Sequence, residues 1–198
     1  MPTTALLVID VQTALFQPSP RPWDADAVLA RIEQLALHAR AALQPVIWVH
    51  HHNASNLPQG GAGWQLAAPL QALPGDYHVD KHTPDAFGHT PLHPLLAALG
   101  VAHVVIAGYA SEFCIDTSVR RAAALGYAVT LAADAHTTHD KPHALAPAIQ
   151  AHENATLPAI RSFGVPIQAL DTAALCQRLH TDALAFAPSA ADPAMLAT

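Results

Sequence analysis

Val101-Ala102-His103-Val104-Val105-Ile106-Ala107, then Gly108-Tyr109-Ala110-Ser111-Glu112-Phe113-Cys114, is the stretch on which the architecture turns. The first part is a short apolar run rich in β-branched residues, the pattern of a strand covered on both faces. Gly108 stops it, and a helical pattern takes over from Phe113 to Leu125, closed by Gly126. A strand, a turn of a few residues and a helix make one βα unit.

The same unit recurs on either side. Ala5-Leu6-Leu7-Val8-Ile9 is another continuous apolar run, ended by Asp10. Between Ala25 and Leu43, Val28, Ile32, Leu35 and Ala39 recur at spacings of three and four, which predicts a helix. Val46-Ile47-Trp48-Val49 is a strand, and His50 to Gly75, rich in Asn, Gly and Pro, reads as a long loop. Tyr77 to Val79 is a short strand leading to Lys81, and Leu92 to Leu99 a helix between Pro91 and Gly100. Beyond the opening stretch come a strand from Tyr127 to Ala133 ended by Asp134, a helix from Leu145 to Leu157, a strand from Val165 to Leu170 and a helix from Ala173 to Leu179.

Strands alternating with helices predict an α/β fold of three layers, α/β/α. Its Rossmann-like, mainly parallel sheet has about six strands with helices on both faces. Residues 1–182 are expected to form one domain, and the Ala/Pro-rich residues 183–198 a C-terminal tail. Ligands of such sheets bind at the carboxyl ends of the strands. Here those ends carry Asp10, His50, Lys81, the turn after Gly108 and Asp134.

Composition narrows the function. In 198 residues, 52% are hydrophobic and 12% charged, which excludes intrinsic disorder. A net charge of -6 with nine basic residues argues against a nucleic-acid partner. No apolar run approaches the roughly 20 residues of a membrane span, and the first residues lack the basic leader of a signal peptide. A cytoplasmic location with reduced thiols is expected. Two cysteines cannot form a disulfide framework. No G-x-G-x-x-G follows the first strand, so no dinucleotide site is expected. Sparse charge on an apolar chain points to association into a homo-oligomer.

Cys114 falls at or near the start of a predicted helix, where unpaired N–H groups and a partial positive charge favour a thiolate and can hold an oxyanion. Lys81 would lower the thiol pKa further, and Asp10 could accept its proton. Taken singly, each has a plainer reading: Cys114 as a small buried hydrophobe, Asp10 as a turn cap, Lys81 as a solvated charge. Cys176, in a half-apolar helix, reads as packing.

The joint pattern resembles the isochorismatase-like cysteine hydrolases, the superfamily that includes nicotinamidases and N-carbamoylsarcosine amidase. The matching pieces are Leu6-Leu7-Val8-Ile9-Asp10-Val11-Gln12, Lys81-His82-Thr83-Pro84-Asp85-Ala86-Phe87, Ala107 to Thr117, and Gly126 to Ala135. The likeness runs from about Thr4 to Ile167. It implies an Asp10-Lys81-Cys114 triad in a hydrolase that attacks a small amide-like C–N bond and passes through a thioester. It also implies a non-proline cis peptide near Tyr109-Ala110, and an oxyanion hole made by the backbone N–H groups of Ala110 and Cys114. The segments Ser111 to Arg121 and Ala151 to Leu157 look closest to amide-cleaving members, including proteins similar to streptothricin hydrolase.

Departures refine this. Nicotinamidases carry an Asp-x-His element after the second strand that binds a metal, and here that place reads Val49-His50-His51-His52-Asn53. Consecutive histidines on an extended segment alternate in direction, so neither metal nor other cofactor is expected. A metal-binding module built on His50-His51-His52 and an isochorismatase-type vinyl-ether hydrolase are the alternatives. The substrate is expected to be a small molecule, with Phe16, His50, Trp64, Phe87, Tyr109 and Phe113 as candidate pocket residues. Core packing is the plainer role for the phenylalanines.

Overall fold

The computed structural model describes residues 3–186. Six strands form one wholly parallel sheet: β1 (Thr3–Ile9), β2 (Val46–His51), β3 (Tyr77–Lys81), β4 (Val101–Tyr109), β5 (Ala128–Thr137) and β6 (Ile167–Leu170). Their order across the sheet is β3-β2-β1-β4-β5-β6. The chain winds outward one way from β1 through β2 to β3, then returns to the other side of β1 at β4. The crevice lies where that direction reverses, outside the carboxyl ends of β1 and β4.

The helices are α1 (Thr13–Phe16), α2 (Ala25–Ala41), α3 (Leu92–Ala98), α4 (Asp116–Ala124), α5 (Ala146–Ala159) and α6 (Thr172–Phe186). Side chains alternate across the sheet. Leu6, Val8, Trp48, Val105 and Ala107 face α2 and α6, which contribute Val28, Leu29, Ile32, Leu35 and Leu175. Leu7, Ile9, Ile47, Val49, Val104 and Ile106 face the other layer, with Leu92 and Leu96 of α3, Val119 of α4 and Leu157 of α5. Each such fully buried side chain stabilises the fold by about 1.5–3 kcal/mol.

The three-layer α/β/α expectation holds, with some local differences. β5 does not end near Asp134 but continues to Thr137. It does so by bulging: Ile106 pairs with Leu131, and Gly108 pairs with His136, so β5 takes five steps where β4 takes two. Asp134 lies within that strand and accepts from Thr172 N at 2.8 Å and Thr172 Oγ1 at 2.7 Å, fastening the start of α6. The single helix expected from Phe113 to Leu125 is a π-helical turn, Ser111–Ile115, running into α4. α6 extends to Phe186, four residues into the Ala/Pro-rich segment; residues 187–198 lie outside the described residues.

Gly108 has a reason to be glycine beyond ending a strand. Its φ is +124°, and a Cβ there would stand 2.0 Å from the Ile9 carbonyl oxygen. Only a bare backbone lets β4 approach β1 so closely at the residue before Asp10.

Candidate active site

Three carboxyl ends converge on one point. Asp10 follows β1 with φ of 55°, a left-handed turn that Asp tolerates better than most residues. Its N–H is held by the Val49 carbonyl at 2.8 Å. Lys81 is the last residue of β3, and its register partner on β2 is His51. Cys114 lies in the π-helical turn, where Phe113 N and Ile115 N both donate to Ala110 O, at 3.0 and 3.1 Å. A π turn widens the backbone by one residue and is frequent at functional sites.

The Lys81 ammonium links the other two. It donates to Asp10 Oδ2 at 2.7 Å and to the Thr83 carbonyl at 3.1 Å, and stands 3.3 Å from Cys114 Sγ. Lys81 is 0% exposed and Asp10 2%, while Cys114 is partly open. Asp10 Oδ1 is buried and has no hydrogen-bond partner. The site thus holds one paired and one free carboxylate oxygen.

The electrostatics reverse one expectation. A helix start and a lysine were expected to favour a thiolate. Burial first, and the Asp10 charge second, push the Cys114 thiol up to about 12, against the opposing Lys81 charge. Cys114 lies near the start of α4, two residues before it begins and within the π turn that leads into it. A thiol held up in this way needs a base if it is to act as a nucleophile.

The non-proline cis peptide lies at Tyr109-Ala110, directly before the π turn. Tyr109 meets Phe16 edge to face, ring centroids 5.9 Å apart, and its hydroxyl is hydrogen-bonded to His139 Nδ1 at 2.9 Å. Burial first, then the Glu112 charge, pushes that hydroxyl up to about 12. Glu112 is tied to Lys141 Nζ at 3.1 Å and accepts from Thr138 Oγ1 at 3.0 Å. Phe113 is 53% exposed, with Lys141 Nζ 5.2 Å from its ring centre.

The remaining candidates sit elsewhere. Phe87 is buried in the layer of α3 and α4 and stacks on Tyr127 at 6.1 Å. His50 shares the face of Trp48 and stacks on Trp64 at 4.5 Å. Those two line a cavity of about 400 Å³ together with Leu66, Leu70, Gln71 and His78. Because residues alternate along β2, it is His51 whose Nδ1 reaches within 3.5 Å of Lys81 Nζ, and His52 lies near His82 at 5.8 Å. The three consecutive histidines diverge. Among the described residues, no group of three or more His, Cys, Asp or Glu side chains is placed to hold a metal ion. Cys176 packs among the core residues beneath α2 and α6.

Two contributors have no signal in single residues. Gln12 is fully buried; its amide donates to the His51 and Trp64 carbonyls at 2.9 and 3.0 Å and accepts from His51 N at 2.9 Å. It fastens the end of β1 to the end of β2 and to the long loop. His136, in the bulged part of β5, is bonded to Ser111 of the π turn at 2.8 Å. Gln12 stands in a motif quoted above, whereas His136 depends on a strand bulge that periodicity cannot show.

Comparison with known proteins places the family. The model of the isochorismatase domain family matches residues 4–163. The chain is 37% identical over 142 residues to a streptothricin hydrolase of Streptomyces noursei, covering 71% of this chain and 51% of that one. It is 29% identical over 156 residues to ureidoacrylate amidohydrolase RutB of Methylobacterium radiotolerans, 60% of each chain. The chain spans little more than half the length of the two streptothricin hydrolases it matches, 51% and 58%. A crystal structure of an isochorismatase family protein superposes with a TM-score of 0.78 at 33% identity, covering 85% of this chain and 98% of that one. Among the described residues, no helix is long and apolar enough to cross a membrane. With its family model matched over most of the domain and its fold shared, this chain belongs to the isochorismatase family.

Proposed function

We propose that this protein is a cysteine hydrolase of a small amide-like C–N bond. The observation that carries the reading is the buried contact of Lys81 with both Asp10, at 2.7 Å, and Cys114, at 3.3 Å, with one Asp10 oxygen left free. Support comes from the relatives, hydrolases by name, one of them an amidohydrolase.

In this account Cys114 Sγ attacks the substrate carbonyl carbon as Asp10 takes the thiol proton. The raised thiol pKa makes that transfer a requirement of the attack. The carbonyl becomes an oxyanion, held by the backbone N–H groups of Ala110 and Cys114. Lys81 balances the negative charge shared by carboxylate and sulfur. Collapse breaks the C–N bond, the amine leaves with the proton held on Asp10, and a thioester remains. Water then adds to the thioester, gives its proton to Asp10, and expels the sulfur, which regains a proton. The products are an acid and an amine.

The substrate on this reading is a small molecule entering beside Tyr109 and Phe113. The exposed apolar side chains Leu37, Leu43, Leu73 and Leu145 support a homo-oligomer, which light scattering would measure. A reduced thiol at Cys114 suits the cytoplasm. The test of activity is a panel of primary amides, carbamoyl compounds and lactams, read by release of ammonia or acid. Turnover of at least one class by the native chain supports the proposal. Turnover that persists undiminished in Asp10→Asn contradicts it.

A further inference from the structure

Behind the nucleophile runs a chain of hydrogen bonds whose polarity can be worked out bond by bond. Asn154 of α5 donates from Nδ2 to the Ala133 carbonyl at 2.8 Å. A carbonyl only accepts, so this fixes which end of the amide is nitrogen. Its Oδ1 therefore faces His136 Nε2, 3.0 Å away, as an acceptor. His136 Nε2 must carry the proton. His136 and Ser111 are both 0% exposed. Burial holds the His136 imidazole down at about 4, so it is neutral and has a single N–H. Nδ1 is then bare and accepts, and the Ser111 hydroxyl 2.8 Å away must donate to it.

Ser111 is the first residue of the π turn that carries Cys114. The next residue, Glu112, is held by Thr138, which follows directly on the end of β5, two positions beyond His136. Gln150 of α5 grips the His136 carbonyl as well. The bulge in β5 is what delivers His136 to this place. Continued in its earlier register from Ile106 and Leu131, the strand would set Ala133 beside Gly108 instead. The connectivity is that of a serine, a base and an orienting group. With Ser111 and His136 both fully buried, however, neither meets a substrate.

We propose that Ser111, His136 and Asn154 are positioning residues, a hydrogen-bond relay of fixed direction that holds the π turn so that Cys114 Sγ stays against Lys81 and Asp10. The proposal rests on the reading of Cys114 as the nucleophile, but its test needs no substrate. When Ser111 loses its acceptor, the turn is released at its first residue. The sulfur then moves out of the buried cluster toward water, and its acidity returns toward that of an ordinary thiol.

Two measurements test this. The first is made on the native protein: nitrogen-15 NMR of the histidine rings between pH 5 and 9. The relay requires His136 to appear as the Nε2–H tautomer throughout. An Nδ1–H tautomer, or an imidazolium at neutral pH, overturns it. The second is the pH profile of iodoacetamide labelling at Cys114, read by peptide mass spectrometry. In Ser111→Ala and His136→Leu the labelling midpoint is expected to fall toward the ordinary thiol value of ~8.5, with labelling at pH 8 at least about tenfold faster. His136→Asn keeps an acceptor near the Nδ1 position and is expected to restore most of the native profile. A native profile in Ser111→Ala overturns the relay even where the hydrolase reading stands. Full amide turnover in Cys114→Ala would sink the hydrolase reading and leave the tautomer result untouched. Should the substituted proteins fail to fold, the NMR result on the native chain decides.

Discussion

Lys81 donates to Asp10 across 2.7 Å although 71 residues separate them and neither side chain is more than 3% exposed. Parallel strands make this meeting: both residues sit at carboxyl ends, β1 and β3 being joined through β2. A buried ion pair is costly to break from one side, because the survivor keeps its charge without a partner. Lys81→Met is therefore expected to lower unfolding free energy by about 3–5 kcal/mol. Urea denaturation at pH 7 checks this, and an unchanged unfolding free energy would contradict it. On the proposed mechanism Asp10→Asn removes the base, and turnover is expected to fall by roughly 10²–10⁴.

Gly108 sets how closely β4 can lie to β1. With a Cβ 2.0 Å from the Ile9 oxygen and φ of +124°, Gly108→Ala cannot be accommodated without parting the strands. A loss of roughly 3 kcal/mol or more is expected, measured by chemical denaturation. Gly75 also has positive φ, but a Cβ there meets nothing within 4 Å. Gly75→Ala is the control, expected to cost much less.

Acid should destabilise the fold through two histidines. Burial is the leading cause that holds His50 and His136 down at about 4. In the unfolded chain a histidine binds its proton near ~6.5. Between these values the unfolded state takes up protons that the folded state refuses. Stability from this source is complete above pH ~6.5 and drains away as pH falls toward 4. His50→Phe, which keeps the stack on Trp64, should flatten the decline of unfolding free energy over that range. An unchanged slope would contradict the assignment.

Glu153 acts in the opposite sense. Burial first, then the Asp116 charge, push its carboxyl up to about 7, and its Oε2 has no hydrogen-bond partner. The folded state holds a proton there that the unfolded chain has already released, so stability is lost as pH rises through about 7. Glu153→Gln should stabilise the protein at pH 8 by on the order of 2 kcal/mol and change little at pH 4.5. Equal effects at both pH values would contradict this.

Much of this site was legible because its residues are rare. One of two lysines falls at a strand end and one of two cysteines in the turn after another, beside an early aspartate, and parallel topology brings strand ends together. What the residues did not reveal depends on tertiary detail. The pattern from Phe113 to Leu125 reads as a helix whether the first turn is α or π, because the apolar spacing is nearly the same. Placing the end of the second strand at Val49 in place of His51 exchanges which histidine faces Lys81, since a strand alternates every residue. The bulge of β5 moved His136 beside Ser111, and a bulge leaves no trace in a short apolar run. The thiol acidity differs for another reason: Lys81 favours the thiolate, but burial beside Asp10 opposes it.

The central claim is that Cys114 forms a covalent bond to the substrate acyl group. Its most direct measurement is turnover by Cys114→Ala on the best amide of the panel, with intact-protein mass spectrometry of native enzyme during turnover and circular dichroism of both proteins. The account predicts that the variant folds as the native protein does and hydrolyses nothing above background, while the native chain gains the mass of one acyl group on Cys114. Undiminished hydrolysis by a folded Cys114→Ala would contradict it.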